Sequence, residues 1–189
     1  EVTGGRFDIS VAPLSDLWDF KNEDPKVPAE EEIKKTLEKV GYSRVHLEAG
    51  DKVKFDDPNT MLDLGALAKG YIADRVSAVL TSAGVKNHLV NAGGDIMASG
   101  HKSPGVPWRV AVQSPTGPAY AGELSLSGKA IATSGSYEIY YDASRRHHHL
   151  INPVSGFSPA VGSVSVVAGT AMEADILATA LSILPPSDA

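Results

Sequence analysis

The chain of 189 residues lacks cysteine, which excludes disulfide bonds, thiolate metal sites and a cysteine nucleophile. It also lacks an excess of positive charge. It has 17 Lys and Arg residues and 23 Asp and Glu residues, which gives a net charge of −6. This negative charge argues against a nucleic-acid partner. No apolar run reaches the length of a membrane span, and we find no signal peptide or internal repeat. The remaining composition, 42% apolar and 21% charged, is that of a globular chain long enough for one sizeable core.

The C-terminal segment carries the most informative pattern. Thr170 followed by Glu173 is a capping-box signature, so we predict a helix that begins there and ends before Pro185. Asp175 and Thr179 are then neighbours on one face, and a carboxylate beside a hydroxyl suits a hard cation such as Mg²⁺. Alternatively, Thr179 bonds back to a carbonyl one turn earlier and Asp175 complements the helix N-terminus. Taken alone, the pattern favours this second interpretation.

Residues 61–74 are predicted to run from a strand or turn into a second helix, which ends at Gly84. Lys69 in its first turn opposes the helix dipole, which suggests an anionic partner; a solvated lysine is an equal alternative. The residues predicted to face inward on this helix are Leu67, Tyr71, Val76, Val79 and Leu80.

Gly93 and Gly94 lie between two apolar strands, just before Asp95. The pair forms either a bulge or hairpin turn, or an opening through which a flat ligand or a phosphate approaches the backbone. Across the chain, predicted strands outnumber helices and occur in neighbouring pairs. We therefore expect an α+β fold with a mixed, largely antiparallel sheet and flanking helices.

Six motifs together resemble the ApbE family of FAD:protein FMN transferases, in that family's order and over residues 3–184. They are TGGRFDISVAPL (3–14), DLGALAKGY (63–71), NAGGD (91–95), ATSGSY (132–137), HLINPVSG (149–156) and ADILAT (174–179). One departure from the family pattern is Asn152, where the family usually has Asp. The resemblance implies a single ApbE-like domain over residues 1–189, lacking an upstream N-terminal segment of the family.

The resemblance also implies an activity, a post-translational flavinylation. Family members use Mg²⁺ as cofactor and FAD as substrate, release AMP, and attach FMN by a phosphoester bond to a threonine of a target flavoprotein. Such targets are electron-transfer subunits on the extracytoplasmic side in bacteria, and a lost lipid anchor is the implied link to a membrane. Two alternatives stay open: an FAD pyrophosphatase that yields FMN and AMP, and a non-catalytic flavin-binding module.

Carried over motif by motif, the resemblance assigns site residues and makes the metal interpretation of the C-terminal helix outweigh the structural one. The implied metal ligands are Ala66, through its carbonyl, Asp175 and Thr179. The implied flavin-binding residues are Arg6, Phe7, Asp8, Asp63, Lys69 and Ile151. The implied catalytic residues are Asp175 and His149, the histidine being a candidate base for the incoming threonine hydroxyl.

Overall fold

The computed structural model describes residues 3–22, 24, 26–141, 144, 146–185 and 187. Its internal contacts divide the chain into two compact units. The first comprises Glu1–Leu64, Ser136–Ala160 and Ile183–Ala189, and the second comprises Gly65–Gly135 and Val161–Ser182. The expectation of a single domain over residues 1–189 stays a prediction.

The first unit contains two short helices and a hairpin. Helix α1 spans Ala12–Trp18 and helix α2 spans Glu30–Leu37; strands β1 (Val45–Glu48) and β2 (Lys52–Phe55) pair antiparallel. Helix α1 ends because Asp19 adopts a left-handed backbone conformation, with φ of 42°. Four buried side chains form the core of the unit: Leu14, Trp18, Ile33 and Ile151.

Trp18, the last residue of helix α1, makes several contacts with residues 136–160. Its indole Nε1 donates a hydrogen bond to the Gly156 carbonyl at 2.8 Å, and the Tyr141 hydroxyl donates to the Trp18 carbonyl. The ring of Trp18 also stacks against His147, with centroids 5.4 Å apart. Since only 1% of Trp18 is exposed, these contacts fix the segment that carries His149 and Ile151.

His148 in the same segment is buried in a polar pocket. Its Nε2 lies 2.9 Å from the Pro159 carbonyl, which can only accept, so Nε2 carries the proton. Its Nδ1 is buried and has no hydrogen-bond partner among the described residues. Burial lowers the pKa of His148 below its usual 6.5; the Pro159 carbonyl opposes this, and the neighbouring histidines add to it.

Acidification is therefore expected to destabilise the chain through His148. Below pH 6.5 the unfolded state takes up a proton that the folded state resists, so stability present at higher pH is lost as pH falls. His148→Gln keeps a donor for Pro159 and does not titrate, so its loss of stability between pH 7.5 and pH 5.5 should be smaller. Urea unfolding at both pH values measures the difference, with exposed His101→Gln as the matched control. Equal losses in wild type and His148→Gln would contradict the assignment.

The second unit holds most of the sheet structure. Helix α3 (Gly65–Ser82) is followed by six strands and then helix α4 (Ala171–Ile183). The strands are β3 (His88–Ala92), β4 (Asp95–Ser99), β5 (Trp108–Gln113), β6 (Tyr120–Leu126), β7 (Lys129–Gly135) and β8 (Ser163–Ala168). Strands β3, β4, β7 and β8 form one sheet in that order, and β5 pairs with β6. All these pairings are antiparallel, which confirms the predicted α+β class. In the described part of the chain, no helix is both long and apolar enough to cross a membrane.

Small side chains fill the space between the sheet and the two long helices. Six buried alanines form two adjoining clusters: Ala73, Ala130 and Ala171 in one, Ala132, Ala174 and Ala178 in the other. Alanine on facing positions lets helix and sheet backbones approach closely. The prediction for the buried face of α3 was wrong for three of its five residues, since Tyr71, Val76 and Val79 are 50%, 42% and 65% exposed, whereas Leu67 and Leu80 are half-buried. The buried residues of α3 are Gly70, Ala73 and Ser77. Gly70 and Ala73 lie against the start of α4, which admits only small residues there, and the Ser77 hydroxyl lies 2.8 Å from His88 Nε2 on β3.

Candidate active site

Helix α3 fixes the N-terminus of helix α4. The two carboxylate oxygens of Asp74 accept hydrogen bonds from Ala171 N at 2.8 Å and Met172 N at 2.9 Å, two of the donors that a helix start leaves unpaired. Thr170 Oγ1 accepts from Glu173 N, as the capping-box pattern predicts. One turn before Asp74, a β-carbon on Gly70 would lie 2.6 Å from the Met172 Cα. A glycine at position 70 is therefore what permits this contact.

This packing brings Asp175 onto the first turns of α3. Only 4% of Asp175 is exposed, and its Oδ2 accepts a hydrogen bond from Gly70 N at 3.2 Å. In a regular helix the Gly70 N–H would point to the carbonyl of Ala66. The Asp175 carboxylate therefore shares a donor with the carbonyl predicted to be a metal ligand. The hydrogen-bond partner of Asp175 is thus on α3, and the metal and structural interpretations of this residue both stay predictions.

Thr179 lies one turn beyond Asp175 on the same helix. Its Oγ1 is 3.1 Å from Ser134 Oγ on strand β7, either hydroxyl being able to donate. Because Thr179 is only half-buried, its hydroxyl can turn toward a second partner. Ser134 belongs to the ATSGSY motif, but sequence reasoning did not assign it a role. Its proximity to Thr179 becomes visible only once β7 and α4 are packed together.

The predicted anionic partner of Lys69 is Asp95. Lys69 Nζ lies 3.0 Å from Asp95 Oδ2, and the side chains are 50% and 1% exposed. Apart from this ion pair, that oxygen accepts no hydrogen bond within the described residues. Asp95 follows a two-residue turn in which Gly93 and Gly94 have φ of 63° and 103°. The glycine pair thus forms a hairpin turn. The sequence pattern drew attention to these glycines but assigned no role to the Asp95 carboxylate that follows them.

Buried negative charge dominates this cluster. Burial, followed by the nearby Asp95 carboxylate, raises the pKa of Asp175 to about 6, while the Gly70 N–H and Lys69 act in the opposite direction. Two buried carboxyl groups thus share one lysine, an arrangement that an added cation would stabilise.

The donor set suits Mg²⁺ better than a transition metal. In the part of the chain that the structure describes, no group of three or more His, Cys, Asp or Glu side chains could form a metal site. Mg²⁺, however, typically takes one or two carboxylates and completes its shell with phosphate oxygens and water. Asp175, Thr179 and the Ala66 carbonyl offer oxygen ligands only, and the residues present therefore fit that ion.

The other predicted residues lie in the first unit. Arg6 and Phe7 end a glycine turn that Thr3 closes, its carbonyl accepting from Arg6 N at 3.2 Å and its Oγ1 from Phe7 N at 3.1 Å. Asp8 is buried and accepts three hydrogen bonds, from Ser10 N, Ser10 Oγ and Tyr42 N. Asp8 therefore anchors the loop beside Arg6 and Phe7. Their flavin contacts stay predictions.

Asp63, His149 and Ile151 have distinct surroundings. Asp63 Oδ2 accepts a hydrogen bond from Ser15 Oγ at 3.2 Å. Ile151 is 5% exposed and its side chain is part of the core, which leaves its main chain as the part able to meet a ligand. His149 Nδ1 lies 3.3 Å from the Ile139 carbonyl. That carbonyl also accepts a hydrogen bond from His149 N at 3.0 Å, and a proton on Nδ1 that is donated to the same oxygen puts the basic lone pair on Nε2.

Asn152 has a structural role that its family counterpart, aspartate, could share. Its Oδ1 accepts a hydrogen bond from Val154 N at 2.9 Å, and its carbonyl accepts from Gly156 N at 2.7 Å. Asn and Asp both form such side-chain turns. The departure from the family pattern at this position therefore preserves the turn after Ile151.

A sequence model of the ApbE family matches residues 1–189. The chain belongs to the ApbE family. Among curated relatives it is 34% identical to the "FAD:protein FMN transferase" of Escherichia coli K12 over 99% of its length, and 35% identical to that of Treponema pallidum over 97%. The chain spans 56% of the length of each of these relatives.

Solved ApbE structures have the same fold. The ApbE protein of Thermotoga maritima superposes with a TM-score of 0.89 at 35% identity, covering 96% of this chain and 60% of that one. The flavinyl transferase ApbE of Pseudomonas stutzeri, in its apo form, gives 0.85 at 32% identity, with 99% and 60% covered. These similarities confirm both the predicted family and the predicted fold.

Proposed function

We propose that this ApbE chain takes part in Mg²⁺-dependent transfer of FMN from FAD to a threonine of a target flavoprotein. The observation that carries the proposal is the buried Asp175 carboxylate, held against the first turns of α3 with Thr179 one turn away. The names of its relatives, FAD:protein FMN transferases, support the reaction class.

Asp175, Thr179 and the Ala66 carbonyl would hold the metal. When bound, Mg²⁺ neutralises charge on the phosphoryl group under attack and on the departing AMP. Lys69, half-exposed and cationic, is suited to contact the diphosphate of FAD. We extend the proposal to flavin contacts by Arg6, Phe7, Asp8, Asp63 and Ile151.

In the proposed reaction His149 accepts the proton of the threonine hydroxyl through Nε2, the nitrogen that the Ile139 carbonyl leaves deprotonated. The threonine oxygen forms a bond to the FMN phosphorus, and the bond from that phosphorus to the AMP oxygen breaks. In line with the family resemblance, we propose that the acceptors are electron-transfer flavoproteins on the extracytoplasmic side.

Incubation of the 189-residue chain with FAD and Mg²⁺, with and without an acceptor flavoprotein, tests this function. We expect AMP release and a fluorescent flavin that remains on the acceptor after denaturation, and no labelling when the acceptor threonine is replaced by valine. AMP and FMN without labelling would indicate the pyrophosphatase alternative. Flavin binding without cleavage would indicate the non-catalytic module.

A further inference from the structure

In the ion pair between Lys69 and Asp95, the carboxylate is held in place and the ammonium group can move. Asp95 is 1% exposed and begins strand β4, where residue 95 pairs with Ala92 and the next residue, Ile96, also pairs with Ile131 on β7. The sheet therefore holds this carboxylate in place. Lys69, in contrast, is 50% exposed and reaches Asp95 through a flexible four-carbon stem.

We infer that Asp95 and Lys69 set the cation affinity of the Asp175 site in opposite directions. Asp95 is a positioning residue that retains Lys69 and adds negative charge, whereas Lys69 offsets that charge until an anionic substrate draws it away. Lys69 precedes Gly70, whose N–H donates to Asp175 Oδ2 at 3.2 Å, so the ion pair lies beside that carboxylate. The inference rests on the proposed function, because it requires a cation at Asp175.

Removal of either partner leaves a different local charge. Asp95→Asn leaves one lysine beside one carboxylate, so the site should attract Mg²⁺ less. Lys69→Met leaves Asp95 and Asp175 both unopposed, so the site should attract Mg²⁺ more. An ion pair that only stabilised the fold would not produce changes of opposite sign.

The carboxylate of Asp74, also on α3, does not affect the comparison between the two variants. Asp74 lies five residues after Lys69, but both of its oxygens are held by the backbone N–H groups that begin α4. Neither substitution removes those hydrogen bonds, so the charge of Asp74 is a constant background in the comparison.

Calorimetric titration of MgCl₂ into the wild type, both single variants and the double variant tests the inference. We expect the Kd for Mg²⁺ to fall about tenfold in Lys69→Met and to rise about tenfold in Asp95→Asn. The double variant should return close to the wild-type value. Arg109→Met and Glu123→Gln, which break an exposed ion pair between β5 and β6 in the same unit, are matched controls and should leave the Kd unchanged.

Shifts of the same sign, or no shift, would overturn the inference while leaving the proposed function standing. Absence of Mg²⁺ heat in the wild type and in Lys69→Met alike would overturn the metal part of the proposed function together with the inference. Should Asp95→Asn fail to fold, as its thermal unfolding would reveal, Lys69→Met decides alone, since this change is at a half-exposed side chain. An unchanged or weaker affinity in that variant would overturn the inference.

Discussion

Replacement of Asp175 by alanine is expected to lower the rate of AMP release from FAD by about 100-fold or more, because it removes the buried carboxylate ligand of the proposed metal site. The fold should persist. Asp175 and Asp95 are buried near each other, so removal of the Asp175 carboxylate relieves the repulsion between their charges. The Gly70 N–H then has the Ala66 carbonyl as its only acceptor, as in a regular helix. Thermal unfolding and Mg²⁺ calorimetry, measured beside the rate, separate loss of the metal from loss of structure.

Two further variants sharpen this test. Asp175→Asn keeps the shape of the side chain and removes the charge, so it should lose Mg²⁺ binding as the alanine variant does. Glu173→Gln changes an exposed carboxylate on the same helix and should leave the rate unchanged. Normal turnover by Asp175→Ala in Mg²⁺ would show the metal assignment to be wrong, and unfolding of that variant would favour a structural role.

Gly70→Ala is expected to destabilise the chain by about 3 kcal/mol, near the upper end for overpacked sites. The added methyl group would meet backbone rather than a flexible side chain, at 2.6 Å from the Met172 Cα. Helix α4 would have to move from α3, which also weakens the two hydrogen bonds from its N-terminus to Asp74. Since Gly70 N holds the Asp175 carboxylate, Mg²⁺ affinity should fall with stability.

Urea unfolding measures this loss directly. Gly117→Ala is the matched control, because no atom lies within 4 Å of the β-carbon it would add. A free energy of unfolding of Gly70→Ala within about 0.5 kcal/mol of the wild-type value, the range of an ordinary surface substitution, would contradict the predicted clash.

Local patterns predicted the features that depend on nearby residues. Thr170 and Glu173 marked the start of α4 because a helix cap forms within one turn, and the structure has the expected hydrogen bond. Gly93 and Gly94 allowed a hairpin turn for a similar reason, since the positive φ angles of that turn suit glycine. The i, i+4 spacing placed Asp175 and Thr179 on one face of α4, and the combined motifs identified the ApbE family.

The buried face of α3 could not be predicted from hydrophobicity. Its valines and Tyr71 are exposed, while Gly70, Ala73 and Ser77 face inward. A hydrophobic pattern ranks residues by transfer from water, but close packing against α4 selects for small volume. That requirement is set by Ala171 and Met172, which lie far along the chain from Gly70.

The sequence by itself therefore determined the family, the fold class and the start of the C-terminal helix. The metal ligands that it implies stay a prediction. Tertiary structure alone decided that Lys69 pairs with Asp95, and that Asp175, 105 residues after Gly70, accepts its N–H. The physical reason is distance along the chain. Propensity and capping act within a few residues, whereas the charge environment of a buried carboxylate depends on which distant groups the folded backbone places beside it.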